Sequence, residues 1–195
     1  LYSINSILKC LLRQAGTMGI KNEIDNGVDA MEHIMPNNER MYQLFKKLVQ
    51  TPSLSFEEHM MMDLLTQLLE SLGMIVKTQP IRGDNGKMSI NLYATLKENS
   101  DQAGAPVFFC THVDTVFHVR KIVVIEDKEA FYTNGETILG ADPKMAITCM
   151  LECVALLREY KCPHGPIQFI FTSAEEVGCV GGSQLKEDWI IGHDG

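Results

Sequence analysis

Three short segments of this 195-residue chain carry side chains suited to metal ions: His112-Val113-Asp114-Thr115, Leu139-Gly140-Ala141-Asp142-Pro143-Lys144 and Ser173-Ala174-Glu175-Glu176-Val177-Gly178. Each places an imidazole nitrogen or a carboxylate oxygen just after an apolar, strand-like run. Strand ends in an α/β sheet share one rim, so residues about 30 positions apart can meet at a single ion. The chemistry such a set suits is metal-assisted hydrolysis, with one carboxylate left over as a general base.

Each cluster also has a plainer use. A neutral imidazole is the commonest protein metal ligand, and its second nitrogen needs an orienting acceptor. Asp114, two residues on from His112, can be that acceptor on the same strand face; the plain alternative is a polar loop rim. His118 lies in an apolar stretch without a partner and reads as structural. Asp142, between Gly140 and Pro143, is either the N-cap of the helix that starts there or a bridge between two metals about 3.5–4 Å apart. Glu175-Glu176 is either a solvated pair or a division of labour. In the second case Glu176 binds metal and stays ionised, while Glu175 moves a proton.

The elements that must position these groups follow from periodicity. Met41, Leu44, Phe45, Leu48 and Val49 recur at helical spacing from an N-cap at Asn38 to the stop at Thr51-Pro52. Ser55 and Glu58 form a capping-box pattern for a second helix, with Met60, Met61, Leu64, Leu65, Leu68 and Leu69 as its stripe and Gly73 as its end. Short β-type runs follow at Met74–Thr78 and Ser89–Leu96, joined by a turn at Gly83-Asp84-Asn85-Gly86. Lys97–Gly104 reads as a polar loop. Pro106–Cys110 is a continuous apolar run, as expected of a strand buried on both faces. Lys121–Ile125 and Ala130–Thr133 read as a small hairpin, Pro143 to Tyr160 as a long helix, and Ile167–Phe171 as a strand. A short helix around Ser183–Asp188 and a last strand, Trp189–Ile191, complete the pattern. Strand, crossover helix and strand imply an α/β fold with a mainly parallel, mixed sheet and helices on its faces.

Composition sets bounds. The chain is 45% hydrophobic and 22% charged with a net charge of −8, so nucleic acid and anionic membranes have no electrostatic support as partners. Its longest apolar stretch, Met145 to Leu157, carries Glu152 and is shorter than the roughly 20 residues of a membrane span. Six cysteines at these positions suggest no disulfide framework. Cys149 and Cys153 share a helix face and read as core, and free thiols favour a reducing, cytoplasmic compartment. Residues 1–37 are weakly patterned and read as a leader, disordered or lying upstream of a start at Met18. Residues 38–195 carry the patterned elements and all three clusters.

Thr111-His112-Val113-Asp114-Thr115-Val116, Asn134-Gly135-Glu136-Thr137-Ile138-Leu139-Gly140-Ala141-Asp142 and Ser173-Ala174-Glu175-Glu176-Val177-Gly178, in this order, resemble the N-terminal part of an M20-family metallopeptidase. The peptidase T-like, or tripeptidase, branch is the closest match, and the helix pair from Glu39 to Gly73 has the same look. The resemblance implies a three-layer zinc-peptidase catalytic domain with two Zn2+ ions per complete site, cobalt or manganese being possible substitutes. It makes His112 a zinc ligand oriented by Asp114, Asp142 the bridge, Glu175 the general base and Glu176 a ligand of the second zinc. Asp194, followed by Gly195, fits a later ligand of the family.

The implied substrate is a short peptide, with a homodimer possible in the full-length form. An aminoacylase or deacetylase activity of the same family, and a truncated non-catalytic metal-binding remnant, stand as alternatives. The family's lid domain and final His ligand have no counterpart in the 195 residues. Two local departures stand out. Pro143 follows the bridging Asp where the family usually has a second Asp, and the bond there is typically cis in relatives, a geometry that costs least before proline. Ala146 replaces a glycine where helix and sheet normally close up.

Overall fold

A computed structural model of the chain describes residues 34–100, 104–117, 121–127 and 130–192. The leader through residue 33, His118 and Asp194 lie outside the described residues.

Helix α1 spans Asn38–Gln50 and buries Phe45, Leu48 and Val49. Its cap is Asn37 rather than Asn38: the Asn37 side chain accepts from the Arg40 N–H at 3.0 Å. Helix α2, His59–Ser71, buries Met61, Met62, Leu65 and Leu69. The expected capping box is not made, because no side chain caps this helix. Ser55 and Glu58 are drawn into tertiary bonds instead, as described below.

Strands β1 (Ile75–Arg82), β2 (Met88–Leu96), β3 (Val107–His112) and β6 (Ile167–Thr172) form one sheet in the order β1-β2-β6-β3. The Gly83–Gly86 turn closes with the Gly86 N–H donating to Gly83 O at 2.9 Å. Strands β4 (Ile125–Glu126) and β5 (Phe131–Tyr132) make the separate hairpin expected from the sequence. The α/β class with a mixed sheet is present. Among the described strands parallel pairing is confined to β3–β6, with β1–β2 and β2–β6 antiparallel; outside the strands Leu54 and Thr115 form an isolated parallel bridge. The parallel pair is the one joined by the crossover helix α3, Ala141–Glu159.

Alternation sorts the sheet faces. Leu92, Ala94, Leu96, Ile167, Phe169 and Phe171 share one core with the apolar faces of α1, α2 and α3. On the other face Tyr93 meets Trp189 edge-on at 5.4 Å, and Gln168 donates to Trp189 O at 2.9 Å. That face is thus covered by the segment holding helix α4 (Val180–Ser183) and a 3-10 turn (Glu187–Trp189). The single helix expected over 183–188 is divided between these two, and Trp189–Ile191 is not a strand: Trp189 closes the 3-10 turn and Ile190 caps it. Gly181 lets this segment approach, since a Cβ there would lie 2.4 Å from Ser173 O and 2.5 Å from Asn91 Oδ1.

Strand β3 corrects one expectation. Every residue of β6 is buried, whereas Phe108 on β3 is 50% exposed and Cys110 is exposed. The continuous apolar run of 106–110 is an edge strand with one covered face. Ala146 is exposed, so its methyl does not lie between helix and sheet as the comparison with glycine suggested. Cys149 and Cys153 are buried as expected, and the described cysteines are all free.

Candidate metal centre

The parallel register sets His112 at the end of β3 beside Thr172 at the end of β6. Three residues beyond Thr172 the chain reaches Glu175, so the first and third clusters meet at one rim. Helix α3 brings the second cluster to the same place. Gly140 adopts φ +71, a conformation glycine takes without cost, and turns the chain into Ala141 and Asp142. The Asp142–Pro143 peptide is cis.

His112, Glu175 and Glu176 each offer a ligand atom, and these atoms lie within 4.8 Å of one another. Nε2 of His112 is 3.2 Å from Asp142 Oδ1 and 3.9 Å from Glu175 Oε2. The Asp142 side chain is 87% exposed, so its oxygens are open at the rim. Nδ1 of His112 faces the Asp114 main-chain carbonyl at 3.0 Å and the Asp114 Oδ1 at 3.4 Å. The orienting contact expected from Asp114 therefore comes from its backbone as well as its carboxylate. The imidazole and three carboxylates are the donor set that zinc takes.

Asp114 is buried completely. Its Oδ1 accepts the Glu175 N–H at 3.0 Å, and its Oδ2 accepts the Glu176 N–H at 3.1 Å and the Ser55 hydroxyl at 2.7 Å. Burial alone would raise its pKa. The bonds from His112, Ser55 and the two amides outweigh it and hold the carboxyl below its ordinary range. For His112 burial pulls downward, and the nearby Asp114, Glu175 and Asp142 leave the ring above its usual pKa. Glu176 is pushed up by burial and by the neighbouring carboxylates, with His112 opposing.

Three residues at the rim, Ser55, Glu58 and Cys179, carry no site role in the sequence. Ser55 and Glu58 matched a helix-cap pattern that concealed their tertiary use. Cys179, whose thiol donates to Glu175 Oε1 at 3.4 Å, carries no signal beyond its spacing of four from Glu175. Buried Lys144 donates to Thr51 O at 3.1 Å, and burial lowers its pKa to about 8.

A mixed sheet with one imidazole and three carboxylates gathered past its strand ends defines a zinc-peptidase type of catalytic domain, of the M20/M28 kind. The chain belongs to peptidase family M28, whose family model matches residues 91–190, just over half of its length. It is similar to the crystal structure of a tripeptidase from Staphylococcus aureus subsp. aureus Mu50, with 30% identity and a TM-score of 0.74 over 80% of this chain and 42% of that one. Aminopeptidase PepT from Bacillus cereus ATCC 10987 is similar at 32% identity and a TM-score of 0.72, over 80% of this chain and 42% of that one. A peptidase M20 domain-containing protein of Schizosaccharomyces pombe is 28% identical over 164 residues, covering 82% of this chain and 39% of the relative. The chain spans about two fifths of the length of the curated relatives it matches.

Proposed function

We propose that the chain carries the metal-binding half of a zinc-dependent peptidase of the M20, peptidase T-like kind, acting on short peptides. The convergence of His112, Asp142, Glu175 and Glu176 at one rim carries this reading. His112 and Glu176 would hold metal, with Asp142 between two ions. An ion held there supplies Lewis acidity and acidifies water. Glu175 takes the proton from water and returns it to the leaving amine, and its half-exposed carboxylate leaves it open to both. Asp114 orients His112 and fixes the amides of the two glutamates. The similarity to a tripeptidase and to aminopeptidase PepT supports the short-peptide substrate. A dimer of the full-length form stays an expectation of the resemblance, and Asp194, if it ligates, joins the same set. Among the described residues no helix is long and apolar enough to cross a membrane, and the free thiols support a reducing, cytoplasmic setting.

A second assignment has an observation of its own: the ligand atoms within 4.8 Å of one another include one from Glu175, a position that would suit a ligand rather than the base. Zinc titration of the metal-stripped chain tests both. Tight binding that is lost in Asp142→Ala is expected, and binding independent of Asp142 would remove the bridging role. In Glu175→Gln the zinc equivalents should persist, while the same change in an otherwise complete enzyme should abolish peptide hydrolysis. Loss of an equivalent would instead make Glu175 a ligand.

A further inference from the structure

We infer that Glu58 is a positioning residue for the metal centre, holding the backbone that aims Glu175 and Glu176. Glu58 is 1% exposed and forms no ion pair among the described residues. Among the described residues its oxygens are met by hydrogen bonds alone. Oε1 accepts the N–H of Phe56 at 2.8 Å and of Ala174 at 3.0 Å, and Oε2 accepts the Ser89 hydroxyl at 2.7 Å. A buried carboxylate tolerates such a place only when donors surround it.

Two of those donors belong to strained residues. Phe56 sits at φ +66 and Ala174 at φ +55, in the left-handed region that residues with a Cβ seldom occupy. The Ala174 turn decides where Glu175 and Glu176 point. The three successive N–H groups of 174, 175 and 176 are captured by two buried carboxylates, the first by Glu58 and the next two by Asp114. The segment 55–58 anchors both, since Ser55 donates to Asp114. A short loop ahead of α2 therefore fixes the third cluster against the first.

This inference rests on the metal-site reading, and zinc affinity of the full chain, measured by competition with a chromophoric chelator, separates the two. Glu58→Ala removes the oxygen that accepts both the Phe56 and the Ala174 N–H and is expected to weaken zinc binding roughly 10–100-fold. Ser89→Ala, which removes the donor to Oε2 and leaves the Oε1 bond to Ala174 in place, should lower the melting temperature and leave zinc affinity unchanged. Ala174→Gly, which accepts φ +55 freely, should restore part of the affinity when added to Glu58→Ala; a purely structural Glu58 would gain nothing from it. Should Glu58→Ala not fold, Glu58→Asp, with its shorter reach, takes its place in the same comparison. Wild-type affinity in the Glu58 variant, or no recovery with Ala174→Gly, overturns the inference alone. A wild-type chain that binds no zinc overturns the metal-site reading and this inference with it.

Discussion

Asp114 receives the Ser55 hydroxyl and the amides of Glu175 and Glu176, and it also faces His112. Its carboxyl is held below the ordinary range, so the folded chain favours the charged form. That stability is fully present above the unfolded value of about 3.9 and is lost as pH falls through the lower folded value. Urea unfolding of the metal-free chain between about pH 5 and pH 3 should therefore show stability falling on acidification, with a shallower fall in Asp114→Asn. Equal slopes would mean the carboxylate is not strained toward its charge. Lys144 runs the other way. Burial lowers its pKa from 10.5 to about 8, so the unfolded chain binds the extra proton and stability rises with pH across that interval. The shift corresponds to about 3 kcal/mol at neutral pH, against about 1 kcal/mol for the bond to Thr51 that a variant would lose. Lys144→Met is expected to gain about 2 kcal/mol at pH 7 and to lose that alkaline rise; a destabilised variant would show that the ammonium has a partner it needs.

At the scale of elements, strands β3 and β6 lie side by side in parallel register, with Phe108 opposite Gln168 and Phe109 opposite Phe169. Phe169 is fully buried between sheet and helices, and Phe108 is half exposed. Truncating Phe169 to Ala should cost about 3–5 kcal/mol in chemical denaturation, and truncating Phe108 about 0.5 kcal/mol or less. A large cost at Phe108 would place a covering layer over β3. The pair also shows what sequence can carry. Both runs read as buried strands because their residues are apolar, and that property is local. Which strand stands at the sheet edge depends on pairing order, which no local run encodes. The helices were legible because Phe45, Leu48, Met61 and Leu65 repeat at helical spacing and are in fact buried. The candidate site was legible for a related reason: each residue proposed as a ligand sits within a contiguous motif at a strand or helix end. Ser55 and Glu58 were not, because the same two residues satisfy a helix-cap pattern and a tertiary one, and only the packed loop decides between them.

For the molecule as a whole, the rim joins parts distant in sequence: the loop before α2, the end of β3, the start of α3 and the turn after β6. Each contributes a group to the centre or holds one in place, through Ser55, Glu58, His112, Asp142, Glu175 and Glu176. An ion gripped by three of these segments binds the folded chain and not the unfolded one, where the ligands are scattered. Binding must then appear as global stability. At a free zinc concentration of 100 times Kd the linkage adds about 2.7 kcal/mol. For a chain of this size that raises Tm by about 5–11 °C. Calorimetry should show this rise in the wild type, its reversal by chelator, and its loss in His112→Ala, because the ring is the group that both Asp142 and Glu175 approach. A rise of the same size without His112 would place the stabilising zinc elsewhere on the molecule, and no rise in the wild type would mean that the rim gathers carboxylates without gripping an ion.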